Sequence, residues 1–188
     1  KPDDPAFLRA YAHLVARNRD ALDAAAQAAA AHGWNATIAA DDLEGEARDV
    51  AAQIAALAWG AHAEGTSALL PHLFLLGGET TVTVSGGGRG GRNQELALAL
   101  ALELDGEPGI TAACIATDGR DGPTDAAGAV VDGTSADRAR ALGLDPDDHL
   151  RRNDSYPLHR ATGDLLVTGP TGTNVNDLVF LFVDAPRD

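Results

Sequence analysis

Apolar and polar positions along the chain alternate with two periods, one typical of strands and the other of helices. The run "AHLVA" at residues 12–16 predicts a first strand, and "RDALDAAAQAAAAHG" predicts a helix that Asn18 caps and Gly33 ends. "NATIAA" predicts a second strand, and "GEARDVAAQIAALAWGAHAEG" predicts a long amphipathic helix that ends at Gly65.

The second half of the chain continues this alternation. "HLFLLGG" and "TTVTVSG" predict two strands that pair antiparallel, and residues 91–104 predict a helix. "GITAACIATDG", "DLLVTG" and "DLVFLFVD" predict further strands, with helical turns in "SADRARALG", "DDHLRRND" and "SYPLHRATG". The pattern predicts one α/β domain over residues 1–188, in which helices flank a layered, mixed and mainly parallel sheet of six or seven strands.

The composition restricts the cellular compartment and the classes of binding partner that we expect for the protein. The chain has 28 acidic and 14 basic residues and a net charge of -14, which argues against a nucleic-acid surface, because phosphate binding needs clustered basic residues. Its 21 aspartates and single lysine suit a halophile, although a high-GC genome would give part of the same bias. No apolar run approaches the roughly 20 residues of a membrane span, and the lone Cys114 excludes a disulfide framework. These features predict a cytoplasmic protein without membrane partners.

A glycine-rich loop, "SGGGRGGRNQE", joins a predicted strand to a predicted helix. Gly86, Gly88 and Gly91 match the dinucleotide-binding spacing, but no acid stands about 20 residues further on at a strand end. A P-loop would need a lysine here. We therefore predict an anion cradle of another kind, with Gly86, Gly88, Gly90, Gly91 and Asn93 around a phosphate and Arg92, with Arg89, supplying the charge. In the alternative interpretation, the loop is a glycine-rich turn with solvated arginines.

A second polar segment, "ATDGRDGPTDAAGA", follows a predicted buried strand. Asp118, Asp121 and Asp125 converge there, and close carboxylates repel each other unless a cation lies between them. The three aspartates therefore predict an Mg²⁺ site. In the alternative interpretation, Asp121 and Asp125 only cap turns.

Two further polar segments complete the candidate site. "TGPTGTNVND" supplies short hydrogen-bonding side chains between two strands, among them Asn174 and Asp177, and "GGET" places Glu79 near the glycine loop. Ligands in α/β sheets collect beyond strand ends, so we expect all of these segments on one face.

Three stretches together resemble the MOFRL domain of glycerate 2-kinases. They are "GGETTVTVSGGGRGGRNQELALALAL", "IATDGRDGPTDAAGAVVD" and "TGPTGTNVNDLVFLF", in the family's order, within residues 70–183. Residues 8–66 resemble the end of the preceding kinase region. The resemblance implies transfer of phosphate from ATP to the 2-hydroxyl of D-glycerate, with Mg²⁺.

The resemblance also implies roles for single residues. Arg92 would neutralise phosphate charge, Asp118 and Asp121 would hold Mg²⁺ or orient the hydroxyl, and Asn174 with Asp177 would line the cleft. Family enzymes carry a lysine for the nucleotide in an N-terminal domain, so the chain is expected to be the C-terminal part of a two-domain kinase and inactive alone. The alternatives are an NAD(P)-dependent hydroxypyruvate reductase and a non-catalytic anion-binding module.

Overall fold

The fold is known from a computed structural model that describes residues 4–5, 10–63 and 70–184. The end of the second helix, predicted at Gly65, lies outside these residues. The elements in chain order are α1 (Asn18–Ala31), β1 (Asn35–Leu43), α2 (Ala47–Ala63), β2 (His72–Gly78), α3 (Arg92–Glu103), β3 (Ile110–Ala116), β4 (Gly128–Asp132), α4 (Ser135–Ala141), α5 (Pro146–Arg151), α6 (Ser155–Thr162), β5 (Leu165–Leu166) and β6 (Asp177–Val183).

One six-stranded sheet, in the order β1-β2-β6-β3-β4-β5, carries the fold. The predicted layered α/β class is confirmed, but the prediction of a mainly parallel sheet is wrong. Only β1 and β2 pair in parallel, and the other four pairs are antiparallel. The reason is that β6 runs back between β2 and β3, while β4 returns directly along β3 after residues 117–127.

Three local predictions are corrected. Residues 12–16 form no strand, and Leu14 and Val15 are 79% and 93% exposed. "TTVTVSG" forms only a bridge from Thr81 to Glu46, because β6 already occupies the antiparallel edge of β2. Asn18 does not cap α1, since Arg17 is the N-cap. The side-chain amide of Asn18 donates instead to the carbonyl oxygens of Val175 and Asp177.

Helices cover both faces of the sheet. The larger core packs α2 and α3 against one face, through Ile54, Leu100 and Leu181, which are all buried. On the other face α1 packs through Leu22 against Leu73 and Leu75. Alternate residues of β2 therefore serve different cores, as the period-2 geometry of a strand requires.

Cys114 is fully buried in β3, and burial raises the pKa of its thiol. Within residues 4–5, 10–63 and 70–184, no helix is both long and apolar enough to cross a membrane.

A row of paired residues marks one edge of the sheet. Leu43 at the end of β1 pairs with Gly78 at the end of β2, and Gly78 pairs with Asp177 at the start of β6. Asp177 also pairs with Ala116 at the end of β3. The loops that leave or enter these four strands therefore meet at this edge.

Candidate functional site

The polar segments singled out in the sequence meet at this edge, as expected. Residues 79–91 follow β2, residues 117–127 follow β3, and residues 167–176 precede β6. The connection between two of them is direct, because the Thr117 hydroxyl donates to the Asn176 carbonyl oxygen at 2.7 Å and accepts from the Val175 N–H at 2.8 Å.

Arg92 lies at the centre of the edge and is engaged by two carboxylates. Its Nε and Nη2 donate to the two oxygens of Asp177 at 2.5 and 3.0 Å, and its Nη1 lies 3.0 Å from Oε1 of Glu79. The hydrogen bond with Asp177 is the main cause that raises the pKa of Arg92. Since Asp177 is buried, this fork supplies the countercharge that its carboxylate needs.

Asp121 occupies the N-terminus of α3. Its Oδ1 accepts from the backbone N–H of Asn93 at 3.1 Å, and its Oδ2 accepts from the N–H and the side-chain amide of Gln94, both at 2.9 Å. Burial raises the pKa of Asp121, while the hydrogen bonds from Gln94 and Asn93 act in the opposite direction. The anion at this helix N-terminus is thus a carboxylate of the protein itself.

Gly91 makes room for that carboxylate. A Cβ atom at this position would lie 2.3 Å from Cγ of Asp121 and 2.5 Å from each carboxylate oxygen. The backbone of Gly91 is extended, with φ -142°, so its glycine serves the close approach and not an unusual backbone conformation.

The rest of the glycine loop packs against the turn between α5 and α6. The N–H groups of Ser85 and Gly86 donate to Oδ1 of Asn153 at 2.9 and 3.0 Å, and Gly88 N–H donates to the Arg152 carbonyl oxygen at 3.0 Å. The amides of Gly86 and Gly88, which the sequence analysis assigned to phosphate binding, therefore have acceptors within the protein. A Cβ at Gly86 would lie 2.2 Å from that same Arg152 oxygen.

The packing of the glycine loop depends on Asn153, Glu95 and Arg48, which the sequence analysis did not predict. Asn153 also donates to Oε2 of Glu95 at 2.9 Å, and Oε1 of Glu95 accepts from Nη2 of Arg48 at 2.6 Å. Glu95 is buried within α3. A charged residue in an otherwise leucine- and alanine-rich helix is the signal that could have indicated a buried ion pair.

The three aspartates predicted to bind Mg²⁺ are not assembled into one site. Asp121 is enclosed by α3, and Asp125 accepts a hydrogen bond from the Tyr156 hydroxyl at 2.7 Å. Asp118 accepts from the N–H of Arg120 at 2.9 Å and faces Asn174. In the described part of the chain, no three His, Cys, Asp or Glu side chains are placed to hold a metal ion. The three aspartates therefore do not form one site that encloses Mg²⁺ by itself.

A cleft of about 500 Å³ opens beside the ends of β1 and β2. Its lining includes four acidic residues, of which Asp41, Asp42 and Glu44 were not singled out in the sequence and Glu79 was. Their position directly at the end of a strand is the signal that could have found them. Asp41 is paired with Arg19 at 3.1 Å and Glu79 with Arg92 at 3.0 Å, so the negative charge of the lining is only partly compensated and disfavours anions.

Comparison with known proteins identifies relatives over most of the chain. The model of the MOFRL family matches residues 72–177. D-glycerate 2-kinase from Thermotoga maritima is 45% identical over 167 residues, which cover 89% of this chain and 40% of that protein. A protein from Agrobacterium vitis with the provisional name hydroxypyruvate reductase is 48% identical over 88% of this chain and 43% of its own length.

A solved structure agrees with the fold. The crystal structure of glycerate kinase from Thermotoga maritima superposes with a TM-score of 0.88 at 44% identity, covering 91% of this chain and 41% of that one. The chain thus spans about 40% of the length of the curated relative from Thermotoga.

Proposed function

The chain belongs to the MOFRL family, and from this premise we propose that it is the C-terminal part of an ATP-dependent glycerate 2-kinase. The proposed reaction transfers the γ-phosphate of ATP to the 2-hydroxyl of D-glycerate and gives 2-phosphoglycerate and ADP. Relatives named glycerate kinase support this proposal. The observation that carries it is the meeting of Arg92, Asp118, Asn174 and Asp177 at one sheet edge beside the cleft.

Arg92 is the residue that we assign to the transferring phosphate. Its guanidinium has five N–H donors, and the contacts to Asp177 and Glu79 engage Nε and one bond each of Nη1 and Nη2. Glu79 is half exposed and can release Arg92 more easily than the buried Asp177. Phosphoryl transfer depends on positioning and charge stabilisation, and a guanidinium that is fixed in place by a buried carboxylate can provide both.

Asp118 is the carboxylate that we assign to the substrate hydroxyl. It lies at the end of β3 with Asn174 opposite, and it is more accessible than Asp121. In the proposed step the 2-hydroxyl oxygen bonds to the γ-phosphorus as the bond to ADP breaks, and the hydroxyl proton passes to Asp118. Asp121 then acts as a positioning residue, since it holds the first turn of α3 that carries Arg92 and Asn93.

The remaining part of the enzyme is needed to make this edge a site for anions. The cleft carries four carboxylates, and ATP and glycerate are both negatively charged. We therefore propose that an N-terminal kinase domain supplies the missing cations and that the isolated chain is inactive. No three acidic, histidine or cysteine side chains of the described residues are placed to hold a metal ion, so a Mg²⁺ that accompanies ATP would take part of its ligands from the nucleotide phosphates.

The test uses the full-length protein with ATP, Mg²⁺ and D-glycerate, and measures 2-phosphoglycerate. Arg92→Ala alone is ambiguous because it leaves the Asp177 carboxylate buried without its partner. The double variant Arg92→Ala/Asp177→Asn removes both charges. If Arg92 acts on phosphate, this variant regains stability but not activity; full activity in the double variant would contradict the assigned role.

The reductase alternative is supported by the provisional name of the Agrobacterium relative. It predicts oxidation of NADH or NADPH in the presence of hydroxypyruvate. Reductase activity without phosphoglycerate formation from ATP would overturn the kinase proposal. The absence of both activities, with binding of phosphate compounds retained, would favour the non-catalytic module.

A further inference from the structure

Arginines in this acidic protein are mostly paired with carboxylates. Among the described residues, the arginines that form ion pairs within 4 Å are Arg17, Arg19, Arg48, Arg92, Arg138, Arg140, Arg151 and Arg152. Arg89, Arg120 and Arg160 form none with any described carboxylate. With 28 acidic residues available in the chain, three arginines without an ion pair stand out.

Arg89 is held in place without using its charge. Its N–H donates to Oδ1 of Asp154 at 2.9 Å, and its carbonyl oxygen accepts from the N–H of Tyr156 at 2.9 Å. Its guanidinium carbon lies 4.2 Å from the centroid of the Tyr156 ring. A guanidinium stacked on a ring keeps the N–H bonds in its plane available, so Arg89 is pre-organised for an anion.

Arg160 lies on the same helix as Tyr156. It stands four residues, or about one helical turn, after Tyr156. The Tyr156 hydroxyl donates to Oδ1 of Asp125 at 2.7 Å. That hydrogen bond is the first cause that lowers the pKa of Asp125, and the charges of Arg89 and Arg160 lower it further. Two cations therefore act on one exposed carboxylate that neither of them contacts directly.

Arg120 lies in a loop that touches the glycine loop. A Cβ at Gly122 would lie 2.5 Å from the carbonyl oxygen of Gly90 and 2.9 Å from Cα of Gly91. Residues 117–127 thus touch the glycine loop at Gly90 and Gly91. The segment 117–127 carries both Arg120 and Asp125.

We propose that Arg89, together with Arg160, binds a phosphate group of the nucleotide or of the phosphorylated product. This inference rests on the proposed function and adds to it a second set of phosphate-binding residues besides Arg92, namely arginines that form no ion pair with a described carboxylate. Asp125 then lowers the affinity of this site for anions, because its negative charge acts on both arginines without pairing with either. Bidentate guanidinium contacts suit phosphate oxygens.

Calorimetry on the full-length protein tests the site, with ATP and 2-phosphoglycerate titrated separately to distinguish the two sources. Arg89→Met keeps an apolar stem on the Tyr156 ring, and we expect it to weaken binding of one ligand by about tenfold to a hundredfold. Asp125→Asn removes this negative charge and should tighten the same binding by about threefold to tenfold. Arg151→Ala is the control, since Arg151 pairs with Asp148 on α5, and should leave binding unchanged.

The two variants separate this site from a purely structural role. If Arg89 and Arg160 only neutralise Asp125, Asp125→Asn does not tighten binding of either ligand, and the proposal is overturned. Dissociation constants for Arg89→Met within twofold of wild type would overturn it as well. Phosphoryl transfer with unchanged binding in these variants refutes the site alone, whereas Arg89-dependent binding without any transfer refutes the proposed function alone.

Discussion

Replacing Gly91 with alanine tests whether the protein's own carboxylate fills the N-terminus of α3. The added Cβ would lie 2.3 Å from Cγ of Asp121, a distance that real Cβ atoms do not adopt. Asp121 must then move away from the helix. The backbone of Gly91 is extended and accepts alanine, so any loss of stability comes from this collision.

The expected loss follows from the bonds that Asp121 accepts. Two backbone N–H groups and the Gln94 side chain donate to its carboxylate at 2.9 to 3.1 Å. Loss of a capping side chain costs about 0.5–2 kcal/mol, and hydrogen bonds to charged groups contribute about 1.5–3 kcal/mol each. Because water can replace part of this interaction, we expect Gly91→Ala to lower the free energy of unfolding by about 2–4 kcal/mol.

The matched control is Gly87→Ala in the same loop. A Cβ at Gly87 would meet no atom within 4 Å, so we expect a change of at most about 0.5 kcal/mol. Urea unfolding of the 188-residue chain, followed by circular dichroism, measures both variants. In Gly91→Ala/Asp121→Ala the colliding carboxylate is absent, so the two losses should not add. Additive losses, or a Gly91→Ala protein as stable as the control, would refute the placement of Asp121.

Three further predictions concern stability. Burial alone would raise the pKa of Asp164, but hydrogen bonds and the Arg138 charge lower it in the folded protein. The stabilisation from the Asp164 carboxylate is therefore complete above the unfolded pKa of about 3.9 and is lost as the pH falls through the folded pKa. In urea unfolding, the difference in free energy of unfolding between wild type and Asp164→Asn should shrink below about pH 4. Asn153→Ala removes the acceptor of two loop amides and should lower the free energy of unfolding by about 1–3 kcal/mol in the same assay. Gly128→Ala places a Cβ 1.8 Å from the Cys114 carbonyl oxygen, so thermal unfolding should show a loss of more than about 3 kcal/mol, and a normal melting temperature would contradict the β3–β4 register.

Local patterns in the sequence predicted most elements but not their partners. The leucine and alanine periodicity before Glu103 indicated α3, and "DLVFLFVD" indicated β6. Both elements could be predicted because the buried faces of a helix or strand produce a local pattern of apolar residues. The position of β6 between β2 and β3 depends on pairing across about a hundred residues, which no local pattern encodes. For the same reason "TTVTVSG" reads as a strand although it finds no partner strand.

The candidate site was predictable in its parts and not in its connections. Residue types and strand ends indicated Arg92, Asp118 and Asp121, and the meeting of their loops was expected. Glycine followed by a helix was interpreted as a place for an external anion. In the structure the anion is the carboxylate of Asp121, which comes from another loop and accepts from the N–H of Asn93. These two residues are 28 positions apart, so no local pattern indicates their contact.

The central place of β6 has a consequence for synthesis of the protein. Strands β1 and β2 form one part of the sheet, strands β3, β4 and β5 form the other, and β6 is the strand that joins them. A ribosome makes residues 177–183 after the other five strands of the described chain, so until then β2 and β3 each present an unpaired edge. The nascent chain therefore passes through an aggregation-prone interval that ends when β6 is translated and pairs with both strands.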